Sequence, residues 1–209
     1  MCVLIYKPKK TKLNDVKILK QCWDSNPHGA GIAIVKDKSV EVVKGLMTFE
    51  EFLLAYNSLY DENKDIIIHF RLASKGNVTE KLTHPFLIDK TQPKNLKFKT
   101  KTPILFHNGT IFGIGSKDKS DTQEMSEILS EIPKTLWNKI LKITGDKFII
   151  AKPKEVIMIG NFHLHKGCYF SNMYWQIKYK HYLSYYDSCY INFNHTTNNN
   201  IDDIENLDK

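Results

Sequence analysis

"MCVLIYKPKK", residues 1–10, puts a cysteine where removal of Met1 would leave it as the first residue, directly ahead of an apolar, partly β-branched run. The run CVLIY has the length of a short buried strand and is far too short for a signal-peptide core, and no small-residue cleavage site follows it. The cysteine side chain is small, so removal of Met1 is a reasonable expectation. Cys2 would then carry a thiol and a free α-amine on one residue. The thiolate is a strong nucleophile, and the amine, with a reference pKa of about 7.7–8.0, can take its proton near neutral pH. The competing reading is a small apolar residue at the start of a strand.

Outward from this stretch, "NDVKILKQCWDS" carries Val16, Leu19, Cys22 and Trp23 at helical spacing behind the cap candidate Asn14. "NPHGAG" reads as a turn into "IAIV", with "VEVVKGL" as its hairpin partner. Thr48 and Glu51 in "TFEEFLLAYNSLY" form a capping-box signature. "DIIIHFRLAS" is a strand buried on both faces. A lysine-rich loop over about 90–103 leads to "ILFHNGTIFG", read as a strand, a tight turn at Asn108-Gly109 and a second short strand. Helices follow from near Asp121 and from Pro133, the latter suited to a first turn. Four stretches from Lys147 onward, ending in "YWQIKYKHYLSYY", read as strands of one antiparallel sheet. Hairpins and helices in blocks point to an α+β layered fold.

The chain has 209 residues, is 42% hydrophobic and carries a net charge of +7. That length suits a single domain, taken here as 2–190, with a polar, low-complexity tail at 191–209 expected to be disordered. The lysines are spread along the chain without a nucleic-acid motif, so they read as a solvated surface, and a nucleic-acid partner is not expected. The four cysteines, Cys2, Cys22, Cys168 and Cys189, form no C-x-x-C pair. This spacing suggests neither a metal site nor a disulfide framework, and it fits a reducing compartment. No cofactor is implied. No apolar run approaches a membrane span, and a cytoplasmic location is expected.

Several polar residues could do chemistry, although each has an ordinary structural explanation. His107-Asn108-Gly109 could be a simple hairpin turn, or it could present an Asn amide beside a Gly backbone N–H as two donors for an oxyanion. Arg71 ends an apolar strand, where it needs an anionic partner such as a carboxylate. His84 precedes a proline, and Asp121 opens a helix, where it could be a cap.

In order, Cys2, "NPHGAG", "HFRLASKG", "THPF", "LFHNGTI" and "SDTQE" resemble the motifs of the class II glutamine amidotransferase domain, a branch of the N-terminal-nucleophile hydrolases. The motifs run over about residues 2–125. "YFSN" at 169–172 is similar to the part that completes the family's second sheet. The resemblance implies a four-layer αββα sandwich with two antiparallel sheets between helix layers. It implies that Cys2 is the nucleophile toward glutamine, that Asn108 and Gly109 form the oxyanion hole, and that ammonia leaves from a glutamyl thioester. Arg71 would clamp the α-carboxylate with help from Ser74, Asp121 would pair with the α-ammonium, and His84 would stand in the pocket wall. Gly29 and Gly31 would let backbone pass close to the nucleophile, or be an ordinary hairpin entry.

The sequence departs from the family at Leu72, where an aromatic residue is common, and at Leu82 and Thr83, where an Asn commonly stands just before the His-Pro pair. It also holds no synthase module. A separate ammonia-accepting synthetase is therefore expected, docked through the loop at 90–103 or through Tyr174, Trp175, Tyr179, Tyr182, Tyr185 and Tyr186. Two alternatives keep the fold: hydrolysis of another amide, or a non-catalytic module that senses glutamine or binds a partner.

Overall fold

The apolar run after Cys2 forms β1 (Val3–Lys7), and in the computed structural model, which describes residues 2–74 and 76–176, this strand lies inside a sheet rather than at its edge. It pairs antiparallel with β4 (Asp65–Phe70) on one side and with β11 (Cys168–Phe170) on the other. Central position explains the composition of both main strands, because every face of β4 beyond Asp65 is buried. The hairpin expected after the glycine turn is β2 (Ala30–Val35) with β3 (Val40–Leu46), and β2 pairs with β4 as well.

Several expectations about strands are corrected. The lysine-rich stretch 90–103 contains a strand, β6 (Lys97–Thr100), which pairs with β3 as the sheet edge. Its alternation of exposed Lys97 and Lys99 with inward Phe98 is how an edge strand stays soluble while covering a core. The strands after Lys147 do not share one sheet. β8 (Lys147–Lys152) and β9 (Glu155–Ile159) belong to the second sheet with β5 (Phe86–Leu87) and β7 (Ile104–Asn108), whereas β10 (His163–His165) and β11 return to the first. "YFSN" thus completes the first sheet beside β1, not the second. The segment 109–113 after β7 holds no strand, because the chain turns there toward the next helix.

The first sheet runs β10-β11-β1-β4-β2-β3-β6 and the second β5-β7-β8-β9, all pairs antiparallel. Among the described residues four complete α-helices accompany them, so the fold class is α+β as expected. Period-2 alternation along β7 sends Ile104 and Phe106 into a core shared with Leu4, Ala33, Val42 and Ile67 of the first sheet. Leu105 faces the other way, into a core with Leu129 of α3 (Asp121–Glu131) and Trp137 and Leu141 of α4 (Lys134–Ile143). On the opposite side of the first sheet, Phe70 meets Trp23 of α1 (Val16–Ser25) and Phe52 of α2 (Phe49–Leu59), with ring centroids 6.2 and 4.7 Å away. Phe52 and Phe70 are fully buried, each contributing about 1.5–3 kcal/mol.

The helix starts follow local chemistry. The Thr48–Glu51 capping box is formed, whereas α1 is capped by Asp15, not Asn14, through its contacts with the Lys17 and Ile18 amides. Pro133 is the N-cap of α4 rather than a residue of its first turn. Lys7 is buried at the end of β1, where its ammonium donates to the carbonyls of Asp61, Glu62 and Lys64 at 2.8, 2.9 and 2.7 Å. Those bonds fix the α2–β4 turn against β1.

The chain divides into two compact units, Met1–Met173 and Tyr174–Lys209. In the second, Trp175 and Gln176 have helical backbone where a strand was expected. Tyr179, Tyr182, Tyr185, Tyr186, Cys189 and the tail 191–209 lie outside the described residues. Among the described residues, no helix is long and apolar enough to cross a membrane, and Cys2, Cys22 and Cys168 are free thiols.

Candidate active site

The register of β1 and β4 sets the position of the cysteine. Val3 lies opposite Phe70, so Cys2 falls beside the residues that leave β4, Arg71 and Leu72. Its sulfur accepts from the Leu72 N–H at 3.2 Å and lies 3.4 Å from the Leu72 carbonyl. The contact to sulfur is made by the Leu72 backbone, so it does not depend on which side chain stands at this position. The Cys2 carbonyl accepts from the Asn172 amide at 2.7 Å. Burial pushes the Cys2 thiol above its ordinary value, against the opposing pull of the Leu72 amide, the chain's amino terminus and Arg71.

Arg71 is 3% exposed, and its guanidinium donates to the Asn77 carbonyl at 2.8 Å. Burial lowers its pKa, while the nearby Cys2 and Asp121 act to raise it. Asp121 is buried at the first position of α3, behind the capping Ser120. It ties two chain segments together, accepting from the Ile111 N–H at 2.9 Å and the Thr122 N–H at 2.7 Å. Ser74 is exposed, and its hydroxyl meets that of Thr110 at 3.2 Å. His28, from the glycine turn, accepts from the Ala73 N–H at 3.0 Å and steadies the same loop.

A chain of buried polar groups stands behind these residues. His107 places Nε2 3.2 Å from an Asp146 carboxylate oxygen and Nδ1 2.9 Å from the Thr122 hydroxyl. The same hydroxyl lies 3.0 Å from His84 Nε2. One assignment satisfies the three ring contacts: His107 donates to Asp146, Thr122 donates to His107 in preference to the longer 3.3 Å contact with Asp121, and His84 donates to Thr122. Both ring contacts of Thr122 then have one proton each. His69 stacks on His84 with centroids 3.9 Å apart and binds the His107 carbonyl through Nε2 at 3.1 Å. Burial pushes His69 down to about 3 and His84 well below the usual imidazole range, so both rings are neutral at physiological pH.

The glycines here make room for neighbours. A Cβ at Gly31 would overlap the His84 carbonyl oxygen, and one at Gly109 would overlap the Asp146 carboxylate. Gly31 thus admits the backbone of the His84 segment rather than that of Cys2.

A cleft lined by Cys2, Arg71, Ser74, His84, Gly109 and Asp121 brings together all the expected site residues except Asn108. Asn108 lies behind its wall, 5% exposed, with its side-chain nitrogen 2.7 Å from the Ser171 hydroxyl. The cleft encloses about 20 Å³, roughly the room of one water. A cavity of about 330 Å³ lined by Lys44, Asn77, Lys81 and Lys94 does not include Cys2. Its proximity comes through Asn77, whose carbonyl holds Arg71. Among the described residues, no group of three His, Cys, Asp or Glu side chains is arranged to hold a metal ion.

Sequence reasoning missed Thr122, Asp146, Ser171 and Asn172. Thr122 lay inside "SDTQE", and Ser171 and Asn172 inside "YFSN", but neither motif by itself says which residue reaches the site. Asp146 had no signal.

No protein-family model matches the chain. The chain is 28% identical over 190 residues to an uncharacterized protein of Methanocaldococcus jannaschii, covering 87% of this chain and 51% of that relative. The chain therefore spans about half the length of the curated relative it matches.

Proposed function

We propose that this protein is a glutamine amidohydrolase of the class II amidotransferase type, with a four-layer αββα arrangement and Cys2 as an N-terminal nucleophile. The observation that carries this reading is the meeting of Cys2, Arg71, Gly109 and Asp121 at one cleft, although they are up to 119 positions apart in the chain (121 − 2). The layering is supported by a shared core between the sheets and by α3 and α4 packed on the outer face of the second sheet.

In this mechanism the α-amine of Cys2, freed by loss of Met1, takes the thiol proton as sulfur bonds to the side-chain carbonyl carbon of glutamine. Burial raises the thiol pKa, which makes such a base useful. The developing oxyanion takes a hydrogen bond from the Gly109 N–H at the cleft, with the Asn108 amide, behind the cleft wall, as the second donor once the cleft widens; one such donor is worth roughly 2.7–4 kcal/mol. The amine returns its proton to the departing nitrogen, ammonia leaves, and a γ-glutamyl thioester remains. Water then attacks the thioester, giving glutamate and the thiol. Arg71 faces the α-carboxylate and Asp121 the α-ammonium, the two charges that separate free glutamine from a protein side chain. The narrow cleft must widen to admit the substrate. A separate synthetase would consume the ammonia, since free ammonia is mostly protonated near neutral pH.

Ammonia release from free glutamine, compared with ammonia release from a glutamine side-chain amide in an N-acetylated, amidated peptide, tests this reading. Activity on free glutamine that Cys2→Ala abolishes is the expected result. Equal activity on the peptide amide would replace free glutamine with a wider amide substrate class.

A further inference from the structure

We propose that Ser171 is a positioning residue for the oxyanion donor Asn108, an inference that rests on the glutamine-hydrolysing reading above. Ser171 follows β11, the strand beside β1, and is fully buried. Its hydroxyl oxygen accepts from the Leu4 N–H at 2.9 Å, and its own N–H donates to the Leu4 carbonyl at 2.9 Å. Ser171 is therefore fixed to β1 at the residue two places beyond the nucleophile. The next residue, Asn172, holds the Cys2 carbonyl at 2.7 Å. One dipeptide thus reaches both the nucleophile and the Asn108 amide.

The arrangement of protons favours a directing role. With the Asn108 nitrogen placed on Ser171, its oxygen is buried without a partner, and the serine proton has no acceptor among the contacts above. Exchanging the two ends of the amide, which differ little in shape, gives the serine proton an acceptor and moves the unpartnered end of Asn108 from the oxygen to the NH2. The serine hydroxyl then accepts from Leu4 and donates to the Asn108 oxygen. That leaves the Asn108 NH2 without a protein acceptor, the condition required of a donor reserved for charge that appears only during reaction. Loss of the hydroxyl frees the amide to rotate, so that the donor is absent from the transition state while the substrate's charged ends are still held.

The test compares Ser171→Ala and Ser171→Thr with the wild-type protein in glutamine hydrolysis and in alkylation of Cys2 by iodoacetamide, followed on the N-terminal peptide by mass spectrometry. Alkylation needs the thiolate but no oxyanion donor. Ser171→Ala should lower kcat about ten- to a hundred-fold with KM within about two-fold of wild type. Its Cys2 alkylation rate should be unchanged, and Ser171→Thr should recover most of kcat. An unchanged kcat in Ser171→Ala, or an equal fall in kcat and alkylation, overturns the proposal. If Ser171→Ala does not fold, Ser171→Cys decides by the same readouts, since a thiol fills the space but is a weak donor. A wild-type protein that releases no glutamate overturns the underlying reading and this inference with it, whereas an active wild type with an indifferent Ser171 overturns only the inference.

Discussion

The sulfur of Cys2 accepts a hydrogen bond from the backbone N–H of Leu72 at 3.2 Å, so the thiol is held by the residue directly after Arg71. Strand pairing sets up this contact, because Val3 and Phe70 are opposite each other, so Cys2 before Val3 and Arg71-Leu72 after Phe70 lie at the same end of the two strands. The consequence is that the Cys2 thiol and the Arg71 guanidinium share one short piece of backbone.

That proximity makes substrate selection separable from chemistry. Asp121→Asn keeps an acceptor for the Ile111 N–H but removes the charge that, on the proposed reading, faces the substrate ammonium. A hydrogen bond to a charged group is worth about 1.5–3 kcal/mol, so kcat/KM for glutamine should fall roughly ten- to a hundred-fold, mainly through KM. Arg71→Lys should do likewise, because a lysine lacks the fork that can hold the Asn77 carbonyl and a carboxylate together. Steady-state kinetics with the melting temperature measured alongside checks both variants.

The buried histidines set a pH dependence of stability. His69 and His84 have folded-state values lowered by burial, His69 to about 3, whereas in the unfolded chain each titrates near 6.5. Between those values the unfolded state binds more protons, so stability is full above about 6.5 and falls as the pH drops toward 3. Each histidine contributes a slope of up to roughly 1.4 kcal/mol per pH unit in that window. Urea midpoints at pH 7.5 and 5.5 should differ in this sense, and His69→Gln should show a smaller difference. An equal difference in the variant would remove His69 as the cause.

Gly31 offers a test of the close approach to the His84 segment. An added Cβ overlaps a backbone carbonyl oxygen, which cannot rotate away as a side-chain end could. Gly31→Ala should destabilise the protein by about 1–3 kcal/mol or more, read as a lower urea midpoint. A neutral result would mean that the two segments are farther apart than described.

Much of the first half was legible in sequence because its signals are local. The capping box at Thr48 and Glu51, the apolar run of β4 and the β2–β3 hairpin each depend on residues near one another in the chain. β6 was hidden because its lysines face solvent and only Phe98 contributes to a core. The sheet assignment of β10 and β11 was also hidden, since nothing in "HLHKGCYFS" distinguishes pairing with β1 from pairing with β9. The site divided in the same way. Cys2, Arg71, Asn108, Gly109 and Asp121 stood in ordered motifs, whereas Thr122, Asp146 and Ser171 act through hydrogen bonds to residues 15 to 167 positions away. Such contacts have no sequence period and become visible only in three dimensions.

The central claim is that Cys2, as the first residue of the mature chain, forms a covalent bond to the glutamyl group. The most direct measurement is mass spectrometry of the N-terminal peptide after acid quenching during glutamine turnover. The account predicts a peptide that begins at Cys2 and carries a glutamyl group on sulfur, released by hydroxylamine. Glutamine turnover by a protein whose peptide retains Met1 and whose Cys2 is never modified would contradict it.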